Sequence, residues 1–264
     1  MLKVNDVHIT FNPGTPIETQ ALRGLSLEIP SGQFITVIGS NGAGKSTLLN
    51  AISGDTSIDS GALEIDGADV SGLSVWARAD RVARVFQDPL AGTCEDLTIE
   101  ENLALAYSRG ARRGLSRAVR NEWREVFRQR LAVLELGLEH RLTDRIGLLS
   151  GGQRQAVSLL MATLQPSRIL LLDEHTAALD PRTAQFVLSM TQRIVRKYQL
   201  TTLMVTHSMR QALDVGERTV MLHQGRIVLD VAGQAREGLK VAQLLDMFER
   251  VRGETLDDDA LLLD

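Results

Sequence analysis

A glycine-rich segment that follows an apolar run constrains this chain more than any other feature. Phe34–Ile38 is continuously apolar, which predicts a strand buried on both faces. Gly39–Thr47 follows, reads GSNGAGKST and fits the pattern G-x-x-x-x-G-K-[ST]. A helix is predicted from Lys45 to Ile52. An ordinary glycine-rich turn is the alternative, but the strand before it and the helix after it favour a phosphate-binding loop.

The glycines of this loop let backbone N–H groups surround a β-phosphate without side-chain clashes. Lys45 is expected to reach the β- and γ-phosphates, and the Ser46 hydroxyl is expected to ligate Mg²⁺. The loop therefore predicts ATP and Mg²⁺ as ligands. The predicted nucleotide-binding residues here are Gly39, Ser40, Asn41, Gly42, Ala43, Gly44, Lys45, Ser46 and Thr47.

Two acidic residues directly follow a second apolar run. Ile169–Leu172 predicts a central strand, and Asp173 and Glu174 follow at its carboxyl end, where parallel sheets bind their ligands. Asp173 is expected to hold Mg²⁺ through its water shell, and Glu174 to orient or deprotonate the attacking water. Acids commonly end strands, so this pair is informative only together with the phosphate loop.

The segment Leu149–Gln153 reads LSGGQ and opens a predicted helix, Gly151–Leu164. Ser150 as N-cap, followed by two glycines, makes a second backbone-lined anion site. One bound nucleotide does not need two such sites in one subunit, so the second predicts contact with a nucleotide held by a neighbouring copy. Taken alone, the segment also fits an ordinary capped helix start.

Composition and charge exclude several other classes of protein. The 264 residues are 44% hydrophobic and 23% charged, as in ordinary globular proteins. A formal net charge of −4 disfavours non-specific nucleic-acid binding, and the single cysteine, Cys94, excludes an internal disulfide. No apolar run approaches the roughly 18 residues of a membrane span, and the N-terminus lacks the apolar run of a signal peptide. We therefore expect a soluble, cytoplasmic chain.

The order of the predicted elements favours an α/β fold with a parallel sheet. After residue 168 strands and helices alternate, which is typical of crossover connections. The first third predicts short strands joined by turns, and residues 98–164 predict mostly helix. The main predicted elements are strands at Leu2–Thr10, Leu22–Ile29, Ala62–Ile65, Thr202–Thr206, Thr219–Leu222 and Arg226–Leu229, and helices at Ile99–Ser108, Ser116–Leu136 with Gly137 as C-cap, Arg182–Tyr198, Met209–Val215 and Val241–Arg250.

These motifs, in this order and spacing, resemble those of the ABC-type ATPases, the nucleotide-binding subunits of ABC transporters. The resemblance runs from the region of Phe11 to about residue 230. It implies a P-loop NTPase core with a parallel sheet, an antiparallel β-subdomain and an inserted helical subdomain. The implied boundaries are 1–86 and 165–235 for the core with its β-subdomain, 87–164 for the mainly helical subdomain, and 236–264 for a C-terminal helix and acidic tail.

The resemblance also implies partners. Family members form head-to-tail dimers in which two ATP molecules lie between the phosphate loop of one subunit and the LSGGQ segment of the other: Ser150, Gly151, Gly152 and Gln153 here. The implied activity is ATP hydrolysis that drives solute transport through a separate transmembrane permease, from the inner face of the cell membrane. A short chain without a fused membrane domain is similar to importer subunits, which work with an extracytoplasmic substrate-binding protein. An exporter subunit and a non-transport ABC ATPase are the alternatives, and no nucleic-acid partner is expected.

Four further site residues follow from the resemblance. Phe11 stands where the family stacks adenine, although a core phenylalanine at a strand end is the alternative. Gln87, in VFQDP, matches the glutamine that meets Mg²⁺ or the lytic water. His207 matches the histidine that bonds to the γ-phosphate and, here, to Glu174. Asp180 matches the aspartate of the D-loop, and it can also cap a helix that has Pro at its first position.

Two positions depart from the family pattern. His175 stands where a proline is common, and Ala177 where a serine is common. Neither change removes a phosphate or metal contact, and Glu174 fits the role of base better than His175 does. The resemblance thus implies the catalytic residues Glu174, His207 and Gln87 and the metal ligands Ser46, Gln87 and Asp173.

A basic run lies in the middle of the chain. Residues 109–130 contain eight arginines and two acids. A solvated helix face is the favoured interpretation, and contact with an acidic partner loop or anionic lipid is the other.

Overall fold

The computed structural model describes residues 1–110 and 119–252. It divides into two compact units. The first unit consists of Met1–Arg78 and the chain from Tyr198 onward, and the second unit is Ala79–Lys197. Part of the basic run and the whole acidic tail lie outside the described residues.

The described residues form ten strands, eight α-helices and three short 3₁₀ turns. The strands are β1 (Leu2–Phe11), β2 (Thr19–Ile29), β3 (Phe34–Ile38), β4 (Ser60–Ile65), β5 (Ala68–Asp69), β6 (Val82–Val85), β7 (Ile169–Asp173), β8 (Thr201–Val205), β9 (Arg218–His223) and β10 (Arg226–Ala232). The helices are α1 (Lys45–Ser53), α2 (Val75–Arg78), α3 (Ile99–Tyr107), α4 (Asn121–Ala132), α5 (Gly151–Thr163), α6 (Pro181–Tyr198), α7 (Met209–Asp214) and α8 (Val241–Arg252). The 3₁₀ turns are Leu138–His140, Ile146–Leu148 and Gly233–Ala235.

An antiparallel sheet of four strands forms one part of the first unit, in the order β2-β1-β4-β5. The central strand β1 pairs with β2, where Leu2 lies opposite Ile29, and with β4, where Leu2 lies opposite Ile65. Apolar side chains of these strands are buried, including Val4 and Leu63. Alternating apolar residues bury one face of such a sheet, and this explains the short strands predicted for the first third of the chain.

A second set of strands in the first unit contains the predicted central strand. The order is β10-β9-β3-β8, and β3 runs parallel to both β8 and β9. Every residue of β3 and β8 is buried, as their apolar runs predict. The predicted hairpin of β9 and β10 is confirmed, and its turn residues Gln224 and Gly225 both have positive φ (48° and 77°). A two-residue turn in which both residues have positive φ matches the right-handed twist of the strands that it joins.

The two helices predicted near the end of the chain are present as α7 and α8. Met209, Leu244 and Phe248 are buried together with Ile38 of β3. The Phe248 ring meets the His223 imidazole edge-on, with the ring centroids 5.7 Å apart. The apolar face of α8 therefore belongs to the core of the first unit.

The described residues of the second unit form two parallel strands and four helices. β6 pairs with β7, and Val85 lies opposite Leu172. Between these strands in the chain lie α3, α4 and α5, as predicted for residues 98–164. The rings of Tyr107, Trp123 and Phe127 pack edge-on, with Tyr107 centred 5.2 Å from Trp123 and 5.8 Å from Phe127.

One predicted helix is shorter in the structure. The prediction was Ser116–Leu136, whereas α4 covers Asn121–Ala132; residues 116–118 lie outside the described part. The helix ends early because Glu135 adopts a left-handed conformation (φ 58°), which a right-handed helix cannot include. Gly137, the predicted C-cap, has φ 69° and instead precedes the 3₁₀ turn Leu138–His140.

No helix in residues 1–110 and 119–252 is long and apolar enough to cross a membrane.

The boundaries predicted for the core, helical subdomain and C-terminal segment (1–86 with 165–235, 87–164 and 236–264) stay a prediction.

Candidate functional site

The phosphate loop of the first unit requires glycine at two positions. Gly39 follows β3 with φ 152°, and a Cβ there would lie 2.2 Å from the Leu222 carbonyl oxygen. Gly44 precedes α1 with φ 102°, and a Cβ there would lie 2.6 Å from the Ala21 carbonyl oxygen. Any larger residue at either position would displace backbone, so the local chain path depends on these glycines.

The start of α1 has features that favour an anion. No side chain caps this helix, and its first helical bond runs from Leu48 N to Gly44 O (2.9 Å). The N–H groups before that bond therefore lack an intrahelical acceptor. Ser46, in the first turn, is exposed. Helix N-termini of this kind favour phosphate through these N–H groups and through the helix dipole.

Lys45 is buried and lies against the loop that it follows. Its Nζ donates to the carbonyl oxygens of Gly39 (2.6 Å) and Ser40 (3.0 Å), and only 5% of the residue is exposed. These bonds fold the ammonium group back over the loop. The charge is therefore positioned next to the backbone that is predicted to surround the phosphates.

The hairpin turn between β9 and β10 supports the loop, which sequence reasoning missed. Gly225 N donates to Ala43 O (3.0 Å), and Arg23 N donates to Gly225 O (3.0 Å). A Cβ on Gly225 would lie 2.7 Å from the Ala21 carbonyl oxygen. Only the Gln-Gly pair of the turn is visible in the sequence, and it does not reveal what the turn contacts.

His207 follows β8, and residues on both sides of it form hydrogen bonds. Ser208 caps α7 by accepting from Gln211 N (3.2 Å), and the Thr206 hydroxyl accepts from Ser208 N (3.1 Å). The same hydroxyl lies 3.0 Å from the side-chain oxygen of Gln211. These contacts hold the backbone on both sides of His207 in place. Phe11, the last residue of β1, is 39% exposed and is therefore not a core side chain; its contact with adenine stays a prediction.

In the second unit, Asp173 is the last residue of β7, and Glu174 follows it directly. Glu174 is buried and adopts a left-handed conformation with φ 44°. Asp173 forms an ion pair with Arg84, whose Nη2 lies 2.6 Å from Asp173 Oδ2. The guanidinium of Arg84 also lies over the ring of Phe86, 4.8 Å from its centroid. Sequence reasoning missed Arg84, although a charged residue inside the apolar run VARVF was a signal.

The His175 side chain is bonded within the interior of the second unit. Its side chain is buried, and its Nε2 lies 3.0 Å from Thr191 Oγ1 on α6. The Thr191 hydroxyl in turn donates to Val187 O (2.9 Å), which leaves its oxygen to accept from the imidazole. Burial lowers the pKa of His175 to about 4, so the ring is neutral at pH 7. Its imidazole is thus bonded to α6, and the role of Glu174 as base stays a prediction.

The LSGGQ segment begins α5 with a reciprocal cap. Ser150 Oγ accepts from Gln153 N (3.3 Å), and Gln153 Oε1 accepts from Ser150 N (3.2 Å). The N-cap predicted at Ser150 is thus confirmed. Gly152 is packed closely, because a Cβ there would lie 2.1 Å from Thr183 Cγ2. The segment is therefore a capped helix start in which Ser150 and Gly151 are exposed and Gly152 is buried.

Gln87 and Asp180 lie at the ends of other elements in the second unit. Gln87 is exposed after β6, and the preceding carbonyl, Phe86 O, accepts from Gln155 Nε2 of α5 (3.1 Å). Asp180 Oδ1 accepts from Thr183 N (3.1 Å), and hydrogen bonds with Thr183 lower the pKa of Asp180. This bond confirms the predicted N-cap of α6, and Pro181 is its first residue.

The predicted site residues are thus distributed over both units. The first unit holds Phe11, Gly39–Thr47 and His207, and the second unit holds Gln87, Ser150–Gln153, Asp173, Glu174 and Asp180. A phosphate loop between a buried parallel strand and a helix defines the class of P-loop nucleotide-binding proteins.

Comparison with known proteins identifies the family within that class. The family described as ABC transporter matches residues 22–177. A tyrosine transport ATP-binding protein of Clostridioides difficile is 43% identical over 251 residues, covering 94% of this chain and 99% of that protein. An aliphatic sulfonates import ATP-binding protein of Agrobacterium fabrum is 36% identical over 213 residues, covering 81% of this chain and 74% of that protein. This chain belongs to the ABC transporter family, as an ATP-binding ATPase subunit.

Solved structures agree. A dimeric ATP-binding cassette in a post-hydrolysis state with bound ADP and Pi superposes with a TM-score of 0.75 at 29% identity, covering 88% of this chain and 98% of that chain. An ADP-bound cassette of an ABC transporter has a TM-score of 0.75 at 23% identity, covering 94% of this chain and 98% of that chain. The predicted α/β fold of an ABC ATPase is confirmed.

Proposed function

We propose that this chain is the ATP-hydrolysing subunit of a bacterial importer, and that it drives solute uptake through a separate membrane permease. The phosphate loop carries the proposal. An uncapped helix N-terminus and a buried lysine lie together there, and Lys45 Nζ is bonded to two loop carbonyls at 2.6 and 3.0 Å. Such a site binds the β- and γ-phosphates of ATP through backbone N–H groups and one positive charge.

The chain also offers oxygen donors that fit Mg²⁺, which prefers one or two protein oxygens together with phosphate oxygens. Asp173 ends β7 with a carboxylate whose Oδ2 is bonded to Arg84. The Ser46 and Gln87 side chains are exposed. We assign these three residues to the metal, which when bound neutralises charge on the phosphates.

Hydrolysis is assigned to residues that follow the central strands. Glu174 accepts a proton from the attacking water, or orients it, and its burial favours this role. His207 donates a hydrogen bond to the γ-phosphate, and Gln87 contacts the lytic water or the metal. Phe11 stacks on adenine, a role that its exposed ring permits.

Two copies of the chain are proposed to close over two ATP molecules. The dimeric ADP- and Pi-bound cassette among the structural neighbours supports this arrangement. In the proposed dimer, residues of one subunit contact the nucleotide held by its partner. These residues are Ser150, Gly151, Gly152, Gln153 and Asp180.

Import is favoured over export by the names of the relatives. Besides the tyrosine and sulfonates proteins, they include a methionine import ATP-binding protein of Rhizobium johnstonii, 36% identical over 232 residues. We therefore propose that the chain works on the cytoplasmic face of the membrane with a permease and an extracytoplasmic substrate-binding protein. These relatives are named for different substrates, and we propose that other subunits select the solute.

The test is reconstitution with the permease and binding protein encoded beside this chain. We expect the three components to copurify, and we expect uptake into proteoliposomes that requires external binding protein and ATP on the side of this chain. A Lys45→Ala chain in the same complex is the matched control. Solute efflux in place of uptake would contradict import, and failure to copurify with any permease would favour a non-transport ATPase.

A further inference from the structure

The ion pair between Arg84 and Asp173 is well protected from solvent. Nη2 of Arg84 lies 2.6 Å from Oδ2 of Asp173, and the two side chains are only 12% and 14% exposed. The Phe86 ring lies under the guanidinium at 4.8 Å. A stacked guanidinium of this kind is held in place, and it is less hydrated than an ammonium group would be.

The surroundings of Arg84 explain why it needs this partner. Its neighbours Val82, Ala83 and Val85 in β6 are all buried. β6 and β7 are parallel and in register, with Arg84 opposite Leu171, so the long Arg84 side chain reaches the carboxylate two residues further along β7. A charge in such a strand is costly unless it is paired. Asp173 therefore supplies negative charge next to Arg84, and Arg84 supplies positive charge next to Asp173.

We propose that Arg84 is an internal counterion that sets the metal affinity of Asp173: it neutralises the carboxylate when no metal is bound, and it lowers the affinity for Mg²⁺. This inference rests on the proposed function, in which Asp173 holds Mg²⁺. The guanidinium and the metal compete for the Asp173 carboxylate, and their positive charges repel each other. In a poorly solvated setting this competition is stronger than in water. Arg84 therefore keeps metal binding reversible.

The test uses Arg84→Met, which removes the charge and keeps an apolar stem. Mn²⁺ binding is followed by electron paramagnetic resonance, and Mg²⁺ binding by thermal unfolding, both with the non-hydrolysable analogue AMP-PNP. We expect the half-saturating metal concentration to fall about tenfold, since one nearby positive charge is removed. We also expect a lower melting temperature without metal and a larger rise on adding it, because the metal then supplies the counter-charge that Arg84 provided.

Two control variants separate charge from packing. Arg84→Lys keeps the charge, and we expect its metal affinity to stay within about twofold of the parent, whereas a packing role alone would affect Lys and Met alike. Arg128→Met removes an arginine from a solvent-exposed pair with Glu125 and should leave metal affinity unchanged. If Arg84→Met does not fold, Arg84→Gln serves instead, because it is neutral and can still donate to Oδ2; the same tighter binding is expected.

The outcomes distinguish this inference from the proposed function. Unchanged or weaker metal binding in the neutral Arg84 variants overturns the counterion role, provided that Asp173→Asn weakens metal binding in the parent. If Asp173→Asn leaves metal affinity unaltered, the assignment of Asp173 to the metal is wrong and the proposed site fails with it. The double variant Arg84→Met with Asp173→Asn should not show the tighter metal binding of Arg84→Met alone. In the double variant, residue 173 has no carboxylate that removal of the arginine could make available to the metal.

Discussion

The backbone N–H of Gly225 donates to the carbonyl oxygen of Ala43 at 3.0 Å, and this bond joins a hairpin turn to the middle of the phosphate loop. Gly225 also accepts from Arg23 N, so the turn lies between β2 and the loop. The turn therefore supports the loop that is predicted to bind the nucleotide, and we expect Gly225 to affect nucleotide binding.

We predict that Gly225→Ala weakens binding of ATP at least about tenfold. The new Cβ would lie 2.7 Å from the Ala21 carbonyl oxygen, so the turn must move and the bond to Ala43 is lost. Calorimetric titration with AMP-PNP measures the effect. Gly238→Ala is the matched control, because Gly238 has a similar φ (75°) with open space around it. Both variants should lose roughly 1–2 kcal/mol of stability from backbone strain, but only the first should lose affinity.

Replacing Glu174 with Gln should abolish most turnover while leaving ATP binding intact. A positioned base contributes roughly two or more orders of magnitude, and the amide cannot accept the proton. Steady-state phosphate release measures the loss, and gel filtration in Mg-ATP should show a trapped dimer. Hydrolysis close to that of the parent would move the role of base to His207.

The Lys45→Ala variant should lose nucleotide affinity or turnover almost completely. It removes the positive charge that lies within the loop, together with both bonds to Gly39 and Ser40. Lys240→Ala, which removes an exposed lysine of the same unit, is the control and should behave like the parent. Normal binding and turnover without Lys45 would show that the loop is not the nucleotide site.

Mixing two inactive chains should restore activity if sites form between subunits. Ser150→Arg damages the signature, and Lys45→Ala damages the loop. A heterodimer of the two contains one site with both defects and one intact site. We expect each chain alone to be inactive and the equimolar mixture to hydrolyse ATP.

The Ser150 change also removes a helix cap, so its effect on stability needs its own control. Thr98 and Glu101 form the same reciprocal cap at the start of α3. Thr98→Ala should cost about 1 kcal/mol and keep activity. If the mixed chains stay inactive while each remains folded, the signature serves the nucleotide of its own chain.

The stability of the fold should depend on pH through His175. Burial lowers its pKa to about 4, against about 6.5 for an exposed histidine, so between these values the unfolded chain binds the proton and the folded chain does not. His175 therefore has no destabilising effect above pH 6.5, and its contribution grows as the pH falls, to about 3 kcal/mol near pH 4. His175→Gln should make urea unfolding less sensitive to pH in this window. His140→Gln, at a histidine whose side chain is 83% exposed, should not. An identical pH dependence in parent and His175→Gln would contradict the prediction.

The features that the sequence determined by itself are those made by neighbouring residues. The phosphate loop, the reciprocal cap of LSGGQ, the Asp180 cap and the hairpin turn at Gln224-Gly225 each involve residues no more than a few positions apart. Their conformations follow from glycine freedom, helix capping and strand periodicity, which act locally. The family and its fold followed from the order of these motifs.

The tertiary structure alone decided which distant groups meet. Arg84 and Asp173 are 89 positions apart, and their ion pair follows from the parallel register of β6 and β7. Gly225 is hydrogen-bonded to Ala43 of the phosphate loop because β9 pairs with β3. His175 adjoins catalytic positions in the sequence, but its imidazole is bonded to Thr191 of α6. Side-chain direction and strand register depend on the packing of the whole unit, and no local pattern of residues encodes them.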